Sequence, residues 1–254
     1  MKKWALLVVV LFMSNGVYAN EVFCKKFDYA CFINDARNKI FYGQRKEGTD
    51  ILSSMTGLSI ESRQLLAITL LSKKEGDDVK KIKTAQLLLE SAFREGDMKA
   101  GGLLLRFYYG SQVDRDIFPE NDEKAIYILK KILQQKKNSS GELDTLLGEL
   151  LVKNSKEDEA IYWLEKATNR GYPFASANLA SIYSVGKHKD LIKAWFYSDL
   201  NGTSMASEKS ELEKQMTPEQ LEQAQQMSWD WQDAHHIRMP GYRSQGSPIQ
   251  WQVN

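Results

Sequence analysis

"EDEAIYWLEKATNRGY", residues 157–172, carries the pattern that decides the fold. Ala160, Leu164, Ala167 and Gly171 follow one another at spacings of four, three and four, which places them on one stripe of a helix, with Trp163 beside it and Gly171 at the position of a C-cap. A stripe this rich in small residues predicts that a second helix approaches closely.

The same arrangement returns on both sides. "ELDTLLGELL" (142–151) precedes it as a partner helix that ends at the polar loop "VKNSKED". "ASANLASIY" (175–183), "SVGKHKD" and "LIKAWFYSDLNG" (191–202) then repeat helix, loop and helix. Upstream, "AGGLLLRFYYG" pairs with "DEKAIYILKKILQQ", and "SRQLLAITLL" pairs more faintly with "KTAQLLLESAFREG". The first alanines of the second helices, Ala85, Ala125, Ala160 and Ala194, are 40, 35 and 34 residues apart. A period of this size predicts a solenoid of helix pairs.

The flanks differ in kind. Lys2 and Lys3, the apolar run Trp4 to Met13 and the small residues before Asn20 read as a secretory signal peptide over residues 1–19, of the sort used in bacterial export. The apolar run is about half the roughly 20 residues a membrane-spanning helix needs. No lipid-attachment pattern precedes Cys24, because Glu-Val-Phe stands where small residues are required. Cleavage would remove two of the 34 basic residues and none of the 33 acidic ones, leaving a formal charge of about −1 on about 235 residues. A near-neutral chain has no global field with which to gather nucleic acid or an anionic surface. Cys24 and Cys31, the two cysteines, predict a disulfide in an oxidising compartment, here the periplasm; a free or redox-active pair is the alternative. Seven residues of straight helix rise about 10.5 Å, beyond the reach of a bridge, so the segment between them must bend.

Residues 20–61 read as an N-terminal capping segment, with one or two helices over 33–60. At the other end, Thr217, Pro218 and Gln220 form the start signal of a helix whose inner face carries Leu221, Ala224, Ser228 and Trp231. The segment after it, with scattered Pro, Gly and Ser, reads as an irregular tail.

The quoted stretch, extended to "DEAIYWLEKATNRGYPFASANLASIYSVG", together with "DEKAIYILKKI", resembles the Sel-one-like repeats, short relatives of the tetratricopeptide repeat. The resemblance covers roughly residues 62–202 and is strongest in the last two repeats. Its departures are the lengthened loop "GSQVDRDIFPEND" and the ending "ILQQKKNSSG", which lacks the small-residue ending of the helix and its terminal Ala-x-x-x-Gly pattern. It implies an all-α, right-handed α/α solenoid of about four helix-pair repeats, with capping helices before residue 62 and a helix plus tail over 203–254.

Residues that could carry chemistry are sparse. His188 stands in a loop, and His235 and His236 are adjacent, so they cannot both face one site from a helix; no metal or other cofactor is expected. The segment Gly202 to Ala206 loosely matches a nucleophile elbow but follows a helix where a strand is required. Ser184 and Lys187 form a Ser-x-x-Lys. Some Sel-one-like repeat proteins resemble penicillin-binding enzymes, so weak β-lactam binding or hydrolysis is the enzymatic alternative. Those relatives carry a cysteine pair in each repeat, which this chain lacks.

The expected mode of action is therefore protein binding without catalysis, by a chain that is a monomer when free. Polar positions on the apolar first helices, namely Arg106, Asp144, Glu149, Asn178 and Ser181, are the candidates for an exposed concave face, and Trp229 and Trp251 are candidate anchors. Tyr108, Tyr109, Tyr162, Trp163, Tyr183, Trp195, Phe196 and Tyr197 recur at matched positions and read mostly as packing between helices. The resemblance further implies either an immunity protein that neutralises a secreted toxin, such as a type VI secretion phospholipase, or a general cell-envelope adaptor.

Overall fold

The computed structural model describes Cys24 and residues 28–71, 79–109, 119–135 and 141–239. Among them lie twelve α-helices: α1 (Tyr29–Phe41), α2 (Arg45–Ser54), α3 (Ile60–Leu70), α4 (Val79–Arg94), α5 (Met98–Tyr108), α6 (Asp122–Gln135), α7 (Glu142–Lys153), α8 (Glu157–Thr168), α9 (Ser176–Ser184), α10 (Leu191–Asp199), α11 (Ala206–Glu213) and α12 (Pro218–His235). No strand occurs among the described residues. The sequence supplies the start signals: Asp28, Ser59, Asp97, Asp190 and Thr217 each accept a hydrogen bond from a backbone N–H of the following first turn.

Most helices pack on their neighbours in the chain: α1 on α2, α2 on α3, α3 on α4 and α4 on α5, then α7 on α8, α8 on α9, α9 on α10 and α10 on α11. Packing of this nearest-neighbour kind defines a solenoid. The chain is an all-α solenoid of helix pairs. The described residues fall into two compact units, one ending at Ile128 and the other beginning at Leu129, within α6.

In the first unit, α1 and α2 form a hairpin whose core joins Ala36 and Leu52 to Leu66 of α3, with Ile40, Ile51, Leu65, Leu70 and Leu88 around them. Gly48 lets α2 approach α1, since a Cβ there would lie 2.7 Å from the Ala36 carbonyl oxygen. Cys24 is bridged to Cys31 in the first turn of α1, with Cα atoms 5.5 Å apart. Asp28, three residues before Cys31, caps the helix, its carboxylate accepting from the Cys31 N–H at 3.0 Å. The bridge fits export to an oxidising compartment. The signal peptide itself, residues 1–19, lies outside the described residues, and no helix among those described is long and apolar enough to cross a membrane.

The four landmark alanines, Ala85, Ala125, Ala160 and Ala194, are all fully buried, each on the inward face of the second helix of a pair. Gly171 is left-handed, with φ +80°. The Gly171 N–H bonds back to Thr168 and the Tyr172 N–H to Ala167, which is the Schellman arrangement that ends a helix. The same pair of bonds ends α7 with Ser155 in the left-handed position.

In the second unit, α12 packs on α10 beyond the last repeat. The Trp231 indole N–H donates to the Thr168 carbonyl at 3.2 Å, and the His235 ring stacks on Trp231 beside Gly171. The expected capping box forms between Thr217 and Gln220. Ala224, Ser228 and Trp231 are buried as their spacing predicts, and Leu221 is half-buried. The helix α11 was not anticipated: of its eight residues only Leu212 is buried, too little to leave a period in the sequence.

Candidate partner-binding surface

The repeats bring polar groups together at matched positions, and two constellations recur. The first joins three helices. Glu90 on α4, five residues after Ala85, accepts from the Tyr108 hydroxyl on α5; Lys124 on α6 donates to that hydroxyl at 3.3 Å and lies 4.9 Å from the ring centre. Glu165 on α8, five residues after Ala160, accepts from the Tyr183 hydroxyl on α9 at 2.9 Å; Lys193 on α10 donates to it at 3.4 Å and lies 4.7 Å from that ring. Each lysine immediately precedes a landmark alanine. Burial, followed by the neighbouring carboxylate, pushes both tyrosine hydroxyls above their ordinary pKa, so they remain donors. Tyr197 stacks on Tyr183 with ring centres 5.7 Å apart and donates to Glu165 as well.

The second constellation joins the two helices of one pair, with opposite polarity in two repeats. Arg63 on α3, three residues before the buried Leu66, makes a bidentate pair with Glu95 at 2.5 Å and donates to the Ser91 hydroxyl at 2.6 Å. Asp144 on α7, three residues before the buried Leu147, pairs with Arg170 at 2.6 Å and Lys166 at 3.3 Å. Glu95 and Arg170 both stand ten residues after a landmark alanine, and Ser91 and Lys166 both stand six after it.

This geometry corrects the expectation for Asp144, which belongs to no exposed face: its side chain is 0% exposed and clamps α7 to the end of α8. The other candidates divide by position. In the second unit, Glu149 on α7 and Asn178 on α9 are half-buried and hydrogen-bonded to each other. Ser181, one turn beyond Asn178, is exposed. Burial holds the Glu149 carboxyl above the usual range, partly offset by Asn178. Arg106, on α5 in the first unit, is exposed. Trp229 is half-buried on α12, and Trp251 lies outside the described residues.

Of the repeated aromatics, Tyr108, Tyr183, Trp195, Phe196 and Tyr197 are buried, whereas Tyr162 stands on the exterior. The Ser184 hydroxyl donates to the Ala180 carbonyl at 2.6 Å, and the Lys187 ammonium pairs with Asp158 at 2.8 Å, so the two groups of the Ser-x-x-Lys are directed at other partners. Among the described residues, no three His, Cys, Asp or Glu side chains are placed to hold a metal ion.

Neither a protein-family model nor a curated protein matches this chain. Solved structures do resemble it, among them the following two. One is a protective antigen present in uropathogenic Escherichia coli strains and displaying an SLR fold: 18% identity, TM-score 0.50, covering 89% of this chain and 50% of that one. The other is a Sel1 repeat protein from Oxalobacter formigenes: 18% identity, TM-score 0.43, covering 91% of this chain and 60% of that one. The chain thus spans between half and two thirds of the length of these structures. Its helix pairs, buried landmark alanines and the first of these likenesses agree: the chain has the fold of the Sel-one-like repeat proteins.

Proposed function

We propose that the chain is a protein-binding scaffold without catalysis that acts in the periplasm, and that it is an immunity protein which binds and neutralises a secreted antibacterial toxin, such as a type VI secretion phospholipase. Arrays of helix pairs work by presenting first helices side by side to a partner. The observation that carries the reading is the Glu149–Asn178 pair, which joins the adjacent first helices α7 and α9 beside the exposed Ser181. A half-buried carboxyl whose neutral partner leaves its charge uncompensated is suited to receive a cationic group from another protein. The Cys24–Cys31 bridge supports an oxidising location.

The general envelope adaptor remains the second reading, favoured by the same surface. The two separate on affinity and consequence. The mature chain, residues 20–254, is used to capture proteins from the lysate and secreted fraction of its own bacterium. One tight partner with hydrolase activity that falls on stoichiometric titration supports the immunity reading. Several weaker envelope partners whose activities are unaffected would replace it with the adaptor.

A further inference from the structure

In the second unit, α9 carries an apolar pair that the repeat array does not bury. Phe174, just before the helix, and Val185, just after it, are each 70% exposed, more than any other large apolar side chain among the described residues of that unit. With Asn178 and Ser181 between them, they stand at spacings of four, three and four, which is one face of α9 continued into the turns at its two ends. Both ends are held. The Tyr172 ring lies 5.3 Å from that of Phe174 and packs on Gly141 at the start of α7, where an added Cβ would lie 2.7 Å from the Tyr172 Cβ. Beyond Val185, the Asp190 N–H bonds to the Tyr183 carbonyl at 2.8 Å, and Lys187 and His188 meet Asp158 of α8 at 2.8 and 3.0 Å. An apolar pair fixed in this way loses little freedom when a partner covers it.

Between the two apolar ends stands a carboxylate. Glu149 reaches Asn178 from α7, and this neutral amide is its hydrogen-bond partner; no cation pairs with it among the described residues. Burial holds the carboxyl above its usual range, a cost that a cation entering beside it would remove. The side chains next to it on α9, Ala177 and Ser181, are small, so a partner helix can approach closely.

Resting on the reading of α7 and α9 as the partner-binding surface, we propose that the occupant is an amphipathic helix of the partner with a Lys or Arg between two large apolar residues: the cation meets Glu149, and the apolar residues cover Phe174 and Val185. Phe174 and Val185 are eleven residues apart. That is about 16 Å along a helix, so the partner's apolar residues stand about three turns apart with the cation between them. A helix with an acidic or uncharged centre would cover Glu149 without a counter-charge, which costs affinity and so selects against such partners.

The test is selection of a displayed library of helical peptides, on the order of 20 residues long, on the mature chain, with affinities then read by fluorescence anisotropy. The selected peptides are expected to carry Lys or Arg between two large apolar residues. They should bind Glu149→Gln and Phe174→Ser/Val185→Ser each on the order of tenfold more weakly than wild type. Exchange of their cation for Glu should restore binding to Glu149→Lys, as a coupled pair requires. The exposed positions 174 and 185 leave the melting temperature of the double variant unchanged. Selection of peptides with an acidic or uncharged centre, undiminished binding to both variants, or no selected peptide each overturns the proposal. Capture from the bacterium separates it from the scaffold reading. A captured partner that holds Glu149→Gln and Phe174→Ser/Val185→Ser as tightly as wild type overturns the helix and leaves the scaffold standing, whereas peptides of the expected pattern with no captured partner uphold the site and remove the scaffold reading.

Discussion

The clamp between Asp144 and Arg170 can be removed, inverted and transplanted. In Arg170→Ala, a carboxylate with no solvent exposure loses its 2.6 Å partner and keeps Lys166, 3.3 Å away and itself 28% exposed. Breaking a fully buried pair costs about 3–5 kcal/mol. Arg170 is 33% exposed and Lys166 remains, so the loss here is about 2–3 kcal/mol, or a melting point lower by about 5–10 °C. The repeat supplies an internal template for the rescue, since Arg63, Ser91 and Glu95 hold the equivalent positions with opposite polarity. The double exchange Asp144→Arg/Arg170→Glu should recover little, because the new guanidinium would face Lys166. Adding Lys166→Ser reproduces the whole Arg63 environment and should bring stability to within about 1 kcal/mol of wild type, as coupled sites allow. Urea unfolding followed by circular dichroism reads all four proteins. Equal stability of Arg170→Ala and wild type would refute the clamp, and a triple variant no better than the double would refute the equivalence of the two repeats.

Three further outcomes follow from the packing. Gly48→Ala places a Cβ 2.6 Å from Ile40 Cγ1 and 2.7 Å from the Ala36 carbonyl oxygen, so α1 and α2 must separate; a loss of about 1–3 kcal/mol in chemical unfolding is expected, and a neutral result would remove the tight crossing. Ser155→Gly relieves a left-handed residue at φ 57° and should gain about 0.5–1 kcal/mol, whereas destabilisation would mean that the serine side chain holds the turn. Glu149 has a folded pKa raised by burial, so its ionisation costs stability: the cost is absent below the ordinary carboxylate pKa, grows as pH rises through the folded value and is complete above it. Glu149→Gln should therefore be more stable than wild type at pH 7 and indistinguishable from it in acid, and a difference independent of pH would contradict this.

The fold was legible because its signals are local and repeated. Four buried alanines at near-constant spacing, Gly171 as a helix stop and the Thr217–Gln220 box all depend on residues within one or two helical turns. The exposure of polar residues was less legible. Asp144 lies among apolar residues of a first helix, which reads as an exposed position, and only the approach of Arg170 from 26 residues away reveals a buried one. The signal was nevertheless present, since the positions six and ten after Ala85 and after Ala160, compared with each other, carry the partners of both clamps. The Glu–Tyr–Lys groups could have been found in the same way. What the period cannot register is a feature that occurs once, such as α11.

The central claim, that a partner is bound by adjacent first helices, is tested most directly by amide hydrogen exchange of the mature chain with and without its captured partner. The account predicts new protection in α7 and α9 around Glu149, Asn178 and Ser181, and loss of that protection together with affinity in Glu149→Lys. Protection confined to the second helices α8 and α10, with Glu149→Lys binding as wild type does, would contradict it.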